Sequence, residues 1–164
     1  VFRLKNKDKI ISGIFEGSTI NTPSMICVED AIDSLKWVEE IGGLQKLINI
    51  SNNSFKVINQ WIQENDYYNF LADELEQKYL SNTSVTFKIV DDWFLEKDEN
   101  YQRDIMKYIC KLLSDDKVAF DINGYAKAPP SFRIWCGGTV ETDNVIKLLP
   151  WIKWAYLQTK INYA

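Results

Sequence analysis

The chain runs to 164 residues with 46% hydrophobic and 13% aromatic content, enough to fill the core of one compact domain and too apolar for disorder. Its net charge of −4 and its lack of any dense Lys/Arg cluster argue against a nucleic-acid partner, and its apolar stretches are too short to span a bilayer. With no His anywhere, His–Ser and His–Cys nucleophile pairs and mixed Cys/His zinc sites are excluded, so any chemistry must run on Lys, Asp, Glu, Tyr or a bound cofactor.

Residues 1 to 20 carry little periodicity. Lys5 to Lys9 reads as a polar turn, and Glu16-Gly17-Ser18 as another. A helix is expected from Thr22-Pro23, with Thr22 as the N-cap and Pro23 at the first helical position, where a missing N–H costs nothing. Met25, Val28, Ala31, Ile32, Leu35 and Val38 recur at helical spacing, and Gly42-Gly43 ends the run. A second helix carries Leu44, Leu47, Ile48, Phe55, Ile58, Trp61 and Ile62 and ends near residues 64–66.

Ser84 to Val90 alternates and is β-rich, hence a strand. Residues 98–114 form a third helix through Tyr101, Ile105, Met106, Ile109 and Leu113. Val118 to Ile122 reads as a strand broken by Asn123-Gly124, and Phe132 to Cys136 as another, stopped by Gly137-Gly138. The last helix, from Thr139 or Thr142, carries Val145, Leu149 and Ile152, with Pro150 expected to kink or interrupt it. The expected fold is α/β: two N-terminal helices, then a βαββα small domain with a mainly antiparallel sheet, its last two strands a hairpin, covered by helices.

Two places could carry function. Ile20-Asn21-Thr22-Pro23-Ser24 is either a plain capped helix start or, with amide and hydroxyl donors at a helix N-terminus, a phosphate site. Arg133 sits mid-strand, where alternation puts its side chain opposite Phe132 and Ile134; it is either a solvated strand residue or a guanidinium fork aimed at a carboxylate, with Ala128-Pro129-Pro130 stiffening its approach. Gly137-Gly138-Thr139 lacks the spacing of a phosphate loop, and acidic pairs such as Asp91-Asp92 read as solvated turns. Cys27, Cys110 and Cys136 form an odd, unpaired set, read as reduced and mostly buried thiols of a cytoplasmic protein.

Several collinear blocks resemble the phosphoserine aminotransferases, class V members of the fold-type I pyridoxal-phosphate enzymes. They are Gly17 to Asp30, Trp37 to Leu44, Ser81 to Val85 and Ala128 to Thr142 with Leu148 to Trp151. The resemblance implies that residues 1–26 are the tail of the large cofactor domain and residues 27–164 the C-terminal small domain. It implies that Asn21 and Thr22 reach the phosphate of pyridoxal 5'-phosphate in the neighbouring subunit of a homodimer. It also implies that Arg133 clamps the substrate α-carboxylate and that Lys127, the one charged residue in Gly124-Tyr125-Ala126-Lys127, helps with the substrate phosphate. The reaction implied moves an amino group between glutamate and 3-phosphohydroxypyruvate, in serine biosynthesis. No residue here matches the family's Schiff-base lysine, so no catalytic residue is assigned and the 164-residue chain alone is expected to be inactive. Two rivals remain: another class V aminotransferase with different substrates, or a non-enzymatic βαββα module that binds a small ligand or a partner.

Overall fold

The computed structural model describes residues 4–18, 21–72 and 78–163. The chain divides into two compact units, Val1–Gly43 and Leu44–Ala164.

In the first unit, β1 (Lys5–Asn6) and β2 (Lys9–Ile10) pair antiparallel across a turn in which Lys7 takes a left-handed φ of 54°. A short 3-10 helix over Ser12–Glu16 closes on Gly17, whose φ of 91° suits only a residue without a Cβ. Helix α1 (Met25–Glu40) follows and ends where expected, at Gly42, whose φ is 113°. Its start differs from expectation. The N-cap position is Ser24, which makes no side-chain cap bond, so Thr22 is not the cap. Thr22 instead sits in a non-helical stretch two residues earlier. None of α1's residues is buried, and Met25, Ile26 and Leu35 are largely exposed.

The second unit holds the core. Helix α2 (Gly43–Gln63) buries residues only from Ser51 onward, through Ser51, Ser54, Ile58 and Ile62, while Leu44 and Ile48 stay exposed. Strands β3 (Tyr68–Phe70), β4 (Ser84–Ile89) and β5 (Phe132–Trp135) form an antiparallel sheet in the order β3-β4-β5. The register sets Phe70 opposite Phe87 and Phe87 opposite Phe132. Because side chains alternate across a strand, Tyr68, Phe70, Val85, Phe87, Ile89, Phe132 and Ile134 share the buried face. Phe87 and Phe132 hold their rings 5.0 Å apart there, and Trp61 of α2 stacks on Tyr68 at 4.5 Å.

A short helix α3 (Asp92–Leu95) leads into α4 (Glu99–Asp115), whose cap Asp98 accepts from the Asn100 and Tyr101 N–H groups. Helix α4 supplies Ile105, Met106, Ile109 and Leu113 to the core. Helix α5 (Thr142–Tyr163) supplies Val145, Leu149, Ile152, Ala155 and Tyr156. Each of the Val, Leu, Ile and Met side chains among these contributes roughly 1.5–3 kcal/mol when fully buried. The architecture is the mixed α/β one expected, an antiparallel sheet with helices.

Two details are corrected. Residues 118–122 do not form a strand, because the Val118 and Ala119 N–H groups both donate to the Leu113 carbonyl and are spent closing α4. The third strand is β3, which the sequence reading passed over. What survives of the expected hairpin is a single antiparallel bridge, Asn123 to Phe132. Second, α5 runs unbroken through Pro150. Pro150 and Ile146, whose carbonyl the proline leaves unpaired, both lie on the exposed side of the helix, where water can serve that carbonyl.

Candidate carboxylate-binding site

Strand alternation buries Phe132 and Ile134 and turns Arg133 to the opposite face, across from Thr86 on β4. The Arg133 N–H donates to the Ile122 carbonyl at 2.8 Å, and the Gly124 N–H to the Ser131 carbonyl at 2.8 Å. These two bonds lay residues 121–125 along β5. The approach is close: a Cβ on Gly124 would stand 2.5 Å from Ser131 Oγ and 3.0 Å from the Ser131 carbonyl oxygen.

Two neighbours of the guanidinium follow from that placement. Asp121 Oδ2 accepts from Arg133 Nη2 at 3.0 Å, and the Tyr125 ring centroid lies 4.7 Å from the guanidinium carbon. The Arg133 side chain is 17% exposed, so it is not the solvated strand residue that the plain reading would have it be. Its Nε is buried without a hydrogen-bond partner. A planar fork with one donor engaged and another unsatisfied is suited chemically to an acceptor that presents two oxygens, such as a carboxylate.

The loop that follows is anchored from α4. Arg103 donates from Nη2 to the Ala128 carbonyl at 2.9 Å and from Nη1 to the Ala126 carbonyl at 3.3 Å, while Glu99 steadies its Nε at 3.1 Å. A cavity of about 330 Å³ lies beside this anchor, lined in part by Arg103, Asn123, Tyr125, Pro129 and Ser131. Lys127 sits in the same loop, exposed, within a turn closed by the Ala128 N–H on the Tyr125 carbonyl at 2.9 Å.

Asn21 and Thr22 belong to the first unit, Arg133 and Lys127 to the second. Both Asn21 and Thr22 are exposed in the stretch that enters α1. An amide and a hydroxyl, neither buried, fit the oxygens of a phosphate as donors.

Sequence reasoning missed Asp121 and Tyr125. The signal was the Asn123-Gly124 turn, which already implied that residues near 121 fold back on residues near 133. The thiols offer no competing nucleophile within the core: burial, with the Asp121 charge adding to it, pushes Cys110 up to about 11, and burial pushes Cys136 up to about 11. Cys27 is exposed, so two of the three thiols lie inside. Among the described residues, no group of His, Cys, Asp and Glu could hold a metal ion, and no helix is long and apolar enough to cross a membrane.

A second polar cluster gathers at Asp91, just after β4. Asp91 accepts from the Tyr156 hydroxyl and from Lys160 Nζ. Burial alone would raise the Asp91 carboxyl, but the Lys160 and Tyr156 hydrogen bonds and the Lys160 charge outweigh it and hold the group below its usual range. This cluster ties α5 to the loop after β4.

No protein-family model matches the chain. It is 43% identical over 156 residues to the phosphoserine aminotransferase of Methanosarcina mazei, covering 95% of this chain and 39% of that protein. It is 44% identical over 156 residues to the phosphoserine aminotransferase of Methanosarcina barkeri, with the same coverage, 95% and 39%. A solved phosphoserine aminotransferase structure, in which radiation damage of the Schiff base was followed, superposes with a TM-score of 0.67 at 18% identity, over 90% of this chain and 37% of that one. At that identity the superposition speaks for the fold. The resemblance to phosphoserine aminotransferases thus holds over nearly all of this chain, which spans about 39% of the length of the curated relatives it matches.

Proposed function

We propose that this chain is the C-terminal portion of a pyridoxal-phosphate-dependent phosphoserine aminotransferase that exchanges an amino group between glutamate and 3-phosphohydroxypyruvate. Residues 1–26 are the tail of its large domain and residues 27–164 its small domain. The observation that carries this reading is the 43% identity over 156 residues to a phosphoserine aminotransferase. The half-satisfied fork at Arg133, the residue expected to hold the α-carboxylate, supports it.

Pyridoxal phosphate, when bound, supplies the electron sink for amino-group transfer. This chain binds and orients. Asn21 and Thr22 donate to the cofactor phosphate across a homodimer. Arg133 holds the substrate carboxylate through two parallel N–H groups, pre-set by the Tyr125 ring beneath it. Lys127 adds positive charge for the substrate phosphate at the rim of the same loop. The Schiff-base lysine comes from outside these 164 residues, in a cytoplasmic enzyme of amino-acid biosynthesis.

The test is an assay of the full-length protein with glutamate and 3-phosphohydroxypyruvate, following 2-oxoglutarate, beside the 164-residue chain alone. Turnover by the former and none by the latter is expected. A full-length protein that forms no keto acid from glutamate with any phosphorylated acceptor would sink the proposal.

A further inference from the structure

The arginine expected to receive a carboxylate already holds one. We propose that Asp121 is a built-in competitor for the Arg133 site, an internal carboxylate that a substrate must displace before it can bind. This rests on the reading of Arg133 as a carboxylate clamp.

Three observations carry it. Asp121 reaches Arg133 through Nη2 at 3.0 Å, while Nε stays buried and unpartnered. The internal pair therefore uses only part of the fork, and leaves one buried donor with its desolvation cost unrelieved. A carboxylate that engages Nε and Nη2 side by side would satisfy both donors, so the exchange favours the ligand. Next, the two partners are unequally exposed, 17% for the Arg133 side chain and 86% for Asp121. Asp121 can return to water at little cost, whereas the guanidinium is held over Tyr125 at 4.7 Å. Finally, Asp121 is anchored through its neighbour rather than through its own side chain: the Ile122 carbonyl takes the Arg133 N–H. The carboxylate can swing out while the segment stays in place.

The consequence is selectivity. A ligand with a single weakly placed oxygen gains nothing over Asp121 and is rejected, while a two-oxygen acceptor in the plane of the fork replaces it. Asp121 sets the threshold that a carboxylate must pass and keeps the guanidinium from binding stray anions.

The experiment measures equilibrium binding of glutarate, a dicarboxylate with no amino group to react, to the full-length protein and its variants by calorimetry. Asp121→Asn and Asp121→Ala should each tighten glutarate by about 2- to 5-fold, the scale of a partly exposed ion pair removed from competition. In an Arg133→Ala background the same Asp121 substitutions should change binding by less than about twofold, because the competition needs the arginine. Amino transfer from glutamate is followed on the same samples. Tightened binding without turnover would keep this inference and remove the aminotransferase reading. Unchanged or weakened binding with turnover intact would overturn this inference, since Asp121 would then be orienting Arg133 or idle. Absence of glutarate binding in every variant would overturn this inference, and absence of turnover beside it would remove the aminotransferase reading as well.

Discussion

Lys160 Nζ lies 2.6 Å from Asp91 Oδ2, and the same oxygen accepts the hydroxyl of Tyr156, one helical turn earlier on α5. One carboxylate thus fastens the last third of α5 to the loop after β4. Asp91→Ala removes the acceptor and strands two donors, and should lower unfolding stability by about 1–3 kcal/mol in urea titrations. The pH dependence has a definite sign. The folded-state carboxyl lies below its ordinary 3.8, so its stabilisation is complete above that value and is lost as pH falls beneath it. The gap between wild type and Asp91→Ala should be full at neutral pH and narrow through pH 3. A gap that widens on acidification would refute the assignment.

At Arg133 the decisive comparison is alanine against lysine in the full-length protein. A charge-assisted, partly desolvated carboxylate pair is worth about 2 to 5 kcal/mol when one partner is truncated. Arg133→Ala should therefore lower kcat/KM by roughly 30-fold or more. Arg133→Lys should recover only part of that loss, since it keeps the charge and loses the planar fork. Cofactor absorbance should hardly change in either. The paired variant Asn21→Ala with Thr22→Ala should do the reverse, weakening cofactor retention first. Intact kinetics in Arg133→Ala would make it an ordinary strand residue.

Gly124 permits the close approach that brings Asp121 and Tyr125 to the site. A methyl group there meets Ser131 Oγ, which can rotate, and the Ser131 carbonyl at 3.0 Å, which cannot. Gly124→Ala should cost about 1–3 kcal/mol of stability, as overpacking does. It should also change carboxylate binding, because the segment that must shift carries both Asp121, the competitor, and Tyr125, which supports the guanidinium. Wild-type stability and binding would show that the segment has more room than its backbone distances imply.

Asp98 offers a local test of helix capping. Its side chain takes two N–H groups of the first turn of α4, at 3.0 and 3.1 Å. Asp98→Ala should lower thermal stability by about 1 kcal/mol, and Asp98→Ser should restore most of it. Equal losses in both variants would mean that the cap bonds contribute nothing net.

Much of this fold is legible in the residue order, since local rules govern it. The apolar spacing of α4 and α5 follows the helical period, Gly42-Gly43 stops α1, and Ser84–Ile89 alternates as a half-buried strand must. The placement of Arg133 on the face opposite Phe132 and Ile134 was visible for the same reason, since it follows period 2. The tertiary structure decided everything that depended on residues far apart in the chain. Tyr68–Phe70 is too short to show a period and becomes a strand only because β4 offers an edge to pair with. Residues 118–122 alternate like a strand, yet their first N–H groups are claimed by the last turn of α4. Whether Arg133 stands free or paired was not written locally at all. It depends on a bridge between Asn123 and Phe132 that sets Asp121 beside the guanidinium, and such a contact exists only once the loop has closed.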